Sequence, residues 1–157
     1  MLEKLQDISE QITKYLLFFI LAVIIIAVFL QVFARVFVLV PMVWTEELAR
    51  YAFIWMVFLG ASIGVKKHMH FSLTFIIDKF PAFLKKSIKI FITSLILIAV
   101  IVMLIQGTRY TLFTGLKSSA PHLGISMAFI FSAIPVSALL MLLYLVIDIK
   151  KLIIAKD

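Results

Sequence analysis

The stretch that decides the fold is WTEELARYAFIWMVFLGA, residues 44–61. Two adjacent carboxylates, Glu46 and Glu47, and one guanidinium, Arg50, stand at the start of a run that is otherwise aromatic, aliphatic or small. A long apolar run is typical of a membrane-spanning helix, and acidic side chains are favourable at the N-terminus of a helix. We therefore predict a transmembrane helix whose charged end lies at the membrane surface.

The composition of the whole chain indicates an integral membrane protein. Of its 157 residues, 64% are hydrophobic, whereas a soluble domain is about half apolar. There is no cysteine, which excludes disulfides, thiolate chemistry and cysteine metal sites. The chain is too short to hold a soluble enzyme domain beside its spans, so we predict that it is not an enzyme. The net charge of +7 is better explained by basic cytoplasmic loops than by nucleic acid, and no nucleic-acid partner is expected.

The apolar runs predict an all-α fold in one membrane domain, residues 1–157. A run of about 19 apolar residues covers roughly 30 Å, which is the thickness of one hydrocarbon core. Four such runs are present, at about 16–34, 48–65, 90–106 and 125–147. Pro135 lies within the last run and is expected to kink that helix, because proline removes a backbone donor.

Two further helices are predicted outside the spans. Residues 1–15 carry one apolar stripe opposite a charged face, and we do not expect them to be a signal peptide. This lead-in is either an amphipathic helix on the membrane surface or a solvated extension of the first span. Residues 66–89 are expected to form a loop with a short interfacial helix.

The distribution of Lys and Arg predicts the orientation. Eleven lie on the side of the two termini and four on the other side, the four being Arg35, Arg50, Arg109 and Lys117. The positive-inside rule then places both termini and the 66–89 loop in the cytoplasm. The connections around Trp44 and at 107–124 are expected to face outward.

The charges at the first hairpin allow two interpretations. In the local one, Thr45 caps the helix, while Glu46 and Glu47 interact with the helix dipole and with Arg50. In the other, Arg35 closes the first span at the same depth as the two carboxylates. Because an unpaired charge is costly there, Arg35 and Arg50 would share Glu46 and Glu47 and stabilise the hairpin.

The second span also carries a candidate contact surface for another protein helix. Aromatic side chains recur at spacings of three and four, and small residues follow them, which permits close approach of helix backbones in lipid. The candidates are Trp44, Tyr51, Trp55, Phe58, Gly60 and Gly64.

The spans carry no carboxylate, histidine or lysine at mid-membrane. Proton- or ion-coupled carriers need such a group or a broken polar helix. His68 and His70 alternate in a basic loop and cannot share a helix face, so neither a metal site nor a cofactor is expected. This pattern favours an accessory subunit over a carrier or channel that works alone.

The chain resembles the small membrane subunit, DctQ-like, of tripartite ATP-independent periplasmic (TRAP) transporters. The resemblance covers essentially the whole chain, and its specific part is Arg35 followed by the block Trp44–Ala61 with its Glu46-Glu47 pair, then the basic residues after the second span and Pro135. The sequence departs from the family pattern at His68-Met69 and at Thr74, in the cytoplasmic loop.

The resemblance implies a function and its partners. Such subunits brace a large membrane subunit that carries substrate and sodium sites, in a bacterial or archaeal inner membrane. A periplasmic binding protein delivers the substrate, commonly a dicarboxylate or a sialic acid. The outward residues Trp44, Arg109 and Lys117 are then candidates for docking that protein, and membrane lipids surround the spans. The alternatives are a self-sufficient oligomeric carrier or channel, and an assembly factor without a transport role.

Overall fold

A computed structural model describes the backbone of residues 2–77 and 82–154, and the side chains of residues 4–67, 88 and 90–150. Five α-helices lie in these ranges: α1 Leu2–Phe33, α2 Val43–Ile77, α3 Ala82–Phe113, α4 Met127–Phe131 and α5 Ala133–Ile154. The one β contact within the described ranges is an isolated antiparallel bridge between Ser119 and Ser126. The predicted all-α class is therefore confirmed for the described part of the chain.

Four helical stretches are long and apolar enough to cross a membrane: Lys4–Val38, Val43–Lys67, Ile90–Lys117 and Met127–Lys150. The predicted number of spans is therefore confirmed. Each predicted span falls within or overlaps one of these stretches, and the helices extend beyond the apolar runs.

The two extra helices predicted outside the spans are not confirmed as separate elements, and the lead-in follows the alternative of an extension of the first span. The lead-in, residues 1–15, belongs to α1 from Leu2 onward, and residues 66–77 continue α2. The physical reason is that neither α1 nor residues 66–77 contain glycine or proline, which would weaken or break the helix there. Residues 78–81 and the side chains of His68 and His70 lie outside what the structure describes.

The connection between α1 and α2 is short and irregular. Helix α1 widens into a π-helical turn at Ala34–Val38, after which Leu39 takes the left-handed conformation with φ of 54°. Helix α2 begins at Val43, and the Thr45 hydroxyl donates a hydrogen bond to the carbonyl of Met42 at 2.6 Å. Thr45 thus lies inside the first turn. The local interpretation made Thr45 a cap that accepts a backbone N–H, but its hydroxyl donates to Met42 instead.

The four long helices form an open row. Helix α1 packs mainly on α2, α2 also packs on α5, and α5 packs on α3, while α1 and α3 do not touch within the described ranges. Lys66 contacts Asp7 and Glu10 near the start of α1 and Tyr144 in the second half of α5, so these parts of the three helices lie at one end of the row. The opposite end carries Glu47. We refer to the Lys66 end and the Glu47 end below.

Helix α5 is the central element of this row. Its Ala138, Met141 and Leu145 form a buried cluster with Val100 of α3. Gly107 permits close approach of α3, since a Cβ there would lie 2.6 Å from Cγ2 of Ile134.

The last span is broken near its start. The Pro135 nitrogen cannot donate to the carbonyl four residues earlier, and the chain breaks between α4 and α5 at Ser132. The break lies one turn before the proline, and it leaves α4 with only five residues. This short helix carries Ile130, which is buried beside Tyr51 of α2 and Ala120 of the loop after α3.

Candidate functional site

At the Glu47 end, one carboxylate joins α2 to the loop that follows α3. Glu47 is 7% exposed. Its Oε2 accepts hydrogen bonds from the backbone N–H groups of His122 and Leu123, both at 2.9 Å, and its Oε1 accepts one from the Tyr51 hydroxyl at 2.8 Å. We call these four residues the Glu47 cluster. Three donors directed at one carboxylate compensate the cost of removing its charge from water.

The loop is folded so that it presents those two N–H groups. Ala120 donates to the carbonyl of Ile125 at 2.8 Å, and Gly124 donates to the carbonyl of Ala120 at 2.9 Å. Gly124 has a φ of 66°, a conformation that costs little only for glycine. The resulting tight turn exposes the N–H groups of His122 and Leu123 on the side facing α2. The His122 Nδ1 lies 3.7 Å from Glu47 Oε2, while the imidazole itself is half-exposed.

At the Lys66 end, a buried ammonium joins α2 to α1 and α5. Lys66 Nζ forms an ion pair with Glu10 and lies 3.3 Å from Asp7 Oδ1. It also lies 5.7 Å from the centre of the Tyr144 ring, within cation–π range. Glu10 also forms an ion pair with Lys14, with Oε1 and Nζ 2.5 Å apart. We call these five residues the Lys66 cluster. The Lys66 side chain is 12% exposed, so its charge depends on these partners.

The first turns of α1 pack with their polar face inward. Gln6 and Thr13 are buried, whereas Ile8 and Ile12 are more than half exposed. The Ser9 hydroxyl donates to the carbonyl of Gln6 at 2.9 Å and lies 3.3 Å from the Tyr144 hydroxyl. This inversion is expected of a helix whose apolar side faces lipid or another apolar chain.

The two clusters lie one membrane thickness apart. At about 1.5 Å per residue, the rise along α2 from Glu47 to Lys66 is about 28 Å, close to the ~30 Å of a hydrocarbon core. Between them, the hydroxyls of Ser62 and Ser137 donate to carbonyls of their own helices, whereas the Thr93 hydroxyl of α3 is buried without a hydrogen-bond partner in the described part of the chain. The charged side chains of α2 that contact other elements therefore lie at its two membrane boundaries.

Residues 24–154 match the family described as tripartite ATP-independent periplasmic transporters, DctQ component. The chain belongs to the DctQ family. The match contains the Glu47 cluster and Lys66 but begins after Asp7, Glu10 and Lys14, the α1 members of the Lys66 cluster.

Three relatives support the same assignment. A TRAP transporter small permease protein of Haemophilus influenzae is 31% identical over 96 residues, which is 61% of this chain and 59% of that protein. The sialic acid TRAP transporter small permease protein SiaQ of Vibrio cholerae is 32% identical over 104 residues, 64% of this chain and 58% of the relative. The sialic acid TRAP transporter permease protein SiaT of Haemophilus influenzae is 32% identical over 65% of this chain, but over only 16% of its own length. The chain thus spans about three fifths of the length of these two small permease relatives.

In this DctQ-family chain, the charges at the first hairpin do not form the predicted cluster in which Arg35 and Arg50 share Glu46 and Glu47. Arg50 donates to Glu46 Oε1 at 2.8 Å, in an exposed pair between positions i and i+4. Glu47 is instead used by Tyr51 and the loop. Arg35 is exposed and makes no ion pair with either carboxylate among the described residues. The π-helical turn that contains Arg35 and the left-handed Leu39 after it separate the end of α1 from the first turn of α2.

The predicted contact surface on α2 is divided by the structure. Tyr51 is buried in the Glu47 cluster and is not available to another chain. The Trp55 ring packs against Phe129, with centroids 5.6 Å apart, and its Nε1 is buried without a hydrogen-bond partner in the described part of the chain. Trp44 is 43% exposed, and a Cβ at Gly60 would meet nothing within 4 Å. Phe58 and Gly64 are half-buried.

An apolar groove runs beside these residues. It has a volume of about 840 Å³ and lies between α1 on one side and α2 with α5 on the other. Its wall extends from Ser9 and Thr13 at the Lys66 end to Leu123 and Ile125 at the Glu47 end. The groove is therefore about as long as the membrane is thick.

The two clusters are made of structural contacts within the chain. Among the described residues, no group of three or more His, Cys, Asp or Glu side chains could hold a metal ion. The charges of both clusters are used in contacts between elements of the same chain. What the arrangement does chemically is to fix helices and a loop at the membrane boundaries.

Proposed function

We propose that this chain is the small scaffold subunit of a sodium-driven TRAP transporter. The observation that carries the proposal is the absence of a transport site in the described spans, in a chain of the DctQ family. The charged contacts of α2 lie at the two membrane boundaries, and the hydroxyls of Ser62 and Ser137 between them donate to carbonyls of their own helices. A coupled carrier needs an ionisable or unwound site near the midplane.

The partner that we propose is a large TRAP membrane subunit. The exposed apolar faces of the row and the groove of about 840 Å³ offer it a surface. Exposed Phe18, Phe19 and Phe29 of α1 would add to that surface. The match to a small part of the longer permease SiaT supports the pairing, since most of that protein lies outside the matched segment.

The substrate class that we propose is carboxylates. Two relatives carry sialic acid in their names and another carries C4-dicarboxylate. The specificity would lie on the large subunit and the periplasmic binding protein, because this chain offers no charged pocket at mid-membrane in its described part.

The orientation that we propose puts the Lys66 end in the cytoplasm and the Glu47 end in the periplasm of a bacterial or archaeal inner membrane. The excess of Lys and Arg on the side of the termini supports it. The loop fixed by Glu47 would then face the binding protein, with Trp44 and Lys117 at the docking surface and Arg109 at its lower edge.

Reconstitution tests the proposal. Proteoliposomes would contain this chain, the large subunit, or both, with and without the binding protein, under an imposed sodium gradient. We expect uptake of the carboxylate only when all three components are present. Uptake by this chain alone would support the self-sufficient carrier and overturn the scaffold role.

The docking surface has a separate test. Lys117→Glu should raise the concentration of binding protein needed for half-maximal uptake several-fold and leave the maximal rate unchanged. Lys67→Glu at the opposite end is the matched control and should change neither value. Identical kinetics for Lys117→Glu and the parent complex would exclude Lys117 from docking.

A further inference from the structure

A second cavity opens on the lateral surface of α3, away from both clusters. It has a volume of about 610 Å³ and is lined by the outer turns of α3 together with Ile134 of α5. The polar side chains on its wall are Gln106, Arg109, Tyr110 and Thr114, and the apolar ones include Val102 and Met103. The cavity thus has a polar part toward the Glu47 end and an apolar part toward the membrane centre.

The cavity lies at the depth of a membrane boundary. The apolar run of α3 starts at Ile90 and ends at Ile105, and Arg109 follows one turn later. At about 1.5 Å per residue, Arg109 is about 28 Å from Ile90, which is one hydrocarbon thickness. A guanidinium at this depth reaches the layer of lipid headgroups.

The polar groups of the cavity have no partner in the described part of the chain. Neither Arg109 nor Gln106 forms an ion pair or side-chain hydrogen bond with another described residue. The Thr114 hydroxyl also makes no hydrogen bond to a described residue. The hydroxyls of Thr108 and Thr111, by contrast, donate to helix carbonyls at 2.7 and 2.8 Å. A cation left unpaired at a membrane boundary favours a site for an anion.

One edge of the cavity is rigid. The Tyr110 ring packs against Phe131 with centroids 4.8 Å apart. Close approach at Gly107 holds α3 against Ile134. The polar wall is thereby fixed relative to α5.

We propose that this cavity binds the phosphate-bearing headgroup of a membrane phospholipid, with an acyl chain along the apolar wall. Arg109 is the anion contact, and Gln106 and Thr114 supply neutral hydrogen bonds to the phosphate or the ester oxygens. Val102 is 53% exposed on the wall that leads toward the membrane centre, which provides apolar surface for a hydrocarbon chain. A soluble anion would leave that apolar part empty. This inference does not depend on the proposed transport role.

Native mass spectrometry of the purified full chain in detergent tests the site. The probes are phosphatidylglycerol, diacylglycerol with the same acyl chains, and glycerol 3-phosphate. We expect one retained phosphatidylglycerol, weak binding of diacylglycerol, and no competition from glycerol 3-phosphate. Arg109→Gln should weaken phosphatidylglycerol binding about tenfold, the effect of losing one charge-assisted contact.

Two further variants make the test decisive. Lys117→Gln removes a cation from the same end but outside the cavity, and it should bind the lipid as the parent chain does. Val102→Trp fills the exposed apolar wall without changing charge, and it should also weaken binding, so the proposal stays testable if Arg109→Gln does not fold. Equal losses in Arg109→Gln and Lys117→Gln would indicate nonspecific attraction and overturn the site. Binding of glycerol 3-phosphate as strong as that of the lipid would overturn the lipid assignment.

Discussion

The Glu47 end and the Lys66 end of the row of helices are stabilised by different interactions. At the Glu47 end a carboxylate accepts hydrogen bonds from neutral donors, two of which are backbone N–H groups of a loop. At the Lys66 end an ammonium is shared by two carboxylates of another helix and an aromatic ring of a third. The first arrangement orders a loop on a helix, and the second holds three helices together. The difference shows that a subunit without a closed core can be fixed at its two membrane boundaries instead.

The largest effect is expected at Lys66. Lys66→Met removes the cation between Asp7 and Glu10, so Glu10, whose side chain is 16% exposed, keeps only Lys14 as an ion-pair partner. Breaking a fully buried pair from one side costs about 3–5 kcal/mol, and because the Asp7 side chain is 73% exposed and Glu10 keeps Lys14, we expect a loss below about 3 kcal/mol. Thermal unfolding in detergent should show the loss, and Lys67→Met, at an exposed neighbouring position, should melt as the parent does. Equal melting temperatures for the two variants would mean that the Lys66 cluster is not stabilising.

The next effect is expected at Glu47. Glu47→Gln leaves at best a neutral amide oxygen facing the N–H groups of His122 and Leu123, so the charge-assisted hydrogen bonds become weaker neutral ones. We expect the melting temperature to fall by less than in Lys66→Met. Hydrogen exchange should quicken in residues 118–126 and stay unchanged at the Lys66 end.

Glu46 provides the matched control for this change. Its pair with Arg50 is exposed, and such pairs contribute at most about 1 kcal/mol. Glu46→Gln should therefore leave exchange in the loop unchanged. Faster exchange in Glu46→Gln than in Glu47→Gln would reverse the assignment of the loop contact.

A smaller effect is expected from Tyr51→Phe. This change removes one of the three hydrogen bonds to Glu47 and keeps the ring in the buried cluster with Ala120 and Ile130. A single hydrogen bond to a charged group contributes about 1.5 kcal/mol. The same unfolding experiment should resolve this shift, and the double variant with Glu47→Gln should lose less than the sum of the two single changes. Strict additivity would show that the two side chains act independently.

The smallest effect is expected at Arg35. Because Arg35 is exposed and pairs with neither Glu46 nor Glu47, Arg35→Ala should change the stability of the isolated chain by less than about 0.5 kcal/mol. A loss as large as that of Tyr51→Phe would restore the shared hairpin cluster that the sequence suggested. An effect seen only in the assembled transporter would place Arg35 in contact with another subunit.

The spans could be predicted from the sequence because an uninterrupted apolar run of membrane length is a strong and local signal. Glu47 could also be recognised as unusual, but its partners could not be predicted. Backbone N–H groups belong to every residue except proline, so His122 and Leu123 carry no sequence signal for this role. The sequence offered one indication of this loop conformation, which is Gly124, the residue that permits the tight turn.

The Lys66 cluster was missed for a different reason. Lys66 begins a basic run with Lys67 and looks like a membrane-boundary cation, while its partners lie near the start of the chain. The usable signal was in α1, where Gln6, Glu10 and Thr13 recur at spacings of three and four. A polar stripe on a helix that leads directly into a span has two explanations. It can face water, or it can make buried polar contacts with another helix.

The open row of helices has a consequence for how this protein can be studied. In a closed bundle, most side chains of each helix affect the melting curve of the isolated chain. Here α1 and α3 are at the margins, and large apolar residues such as Phe29 and Leu95 face outward. Substitutions on those broad faces should be silent in the purified subunit and detectable only by co-purification with a second chain. Stability screens of the isolated subunit would therefore detect substitutions in the two clusters and miss substitutions on the exposed apolar faces.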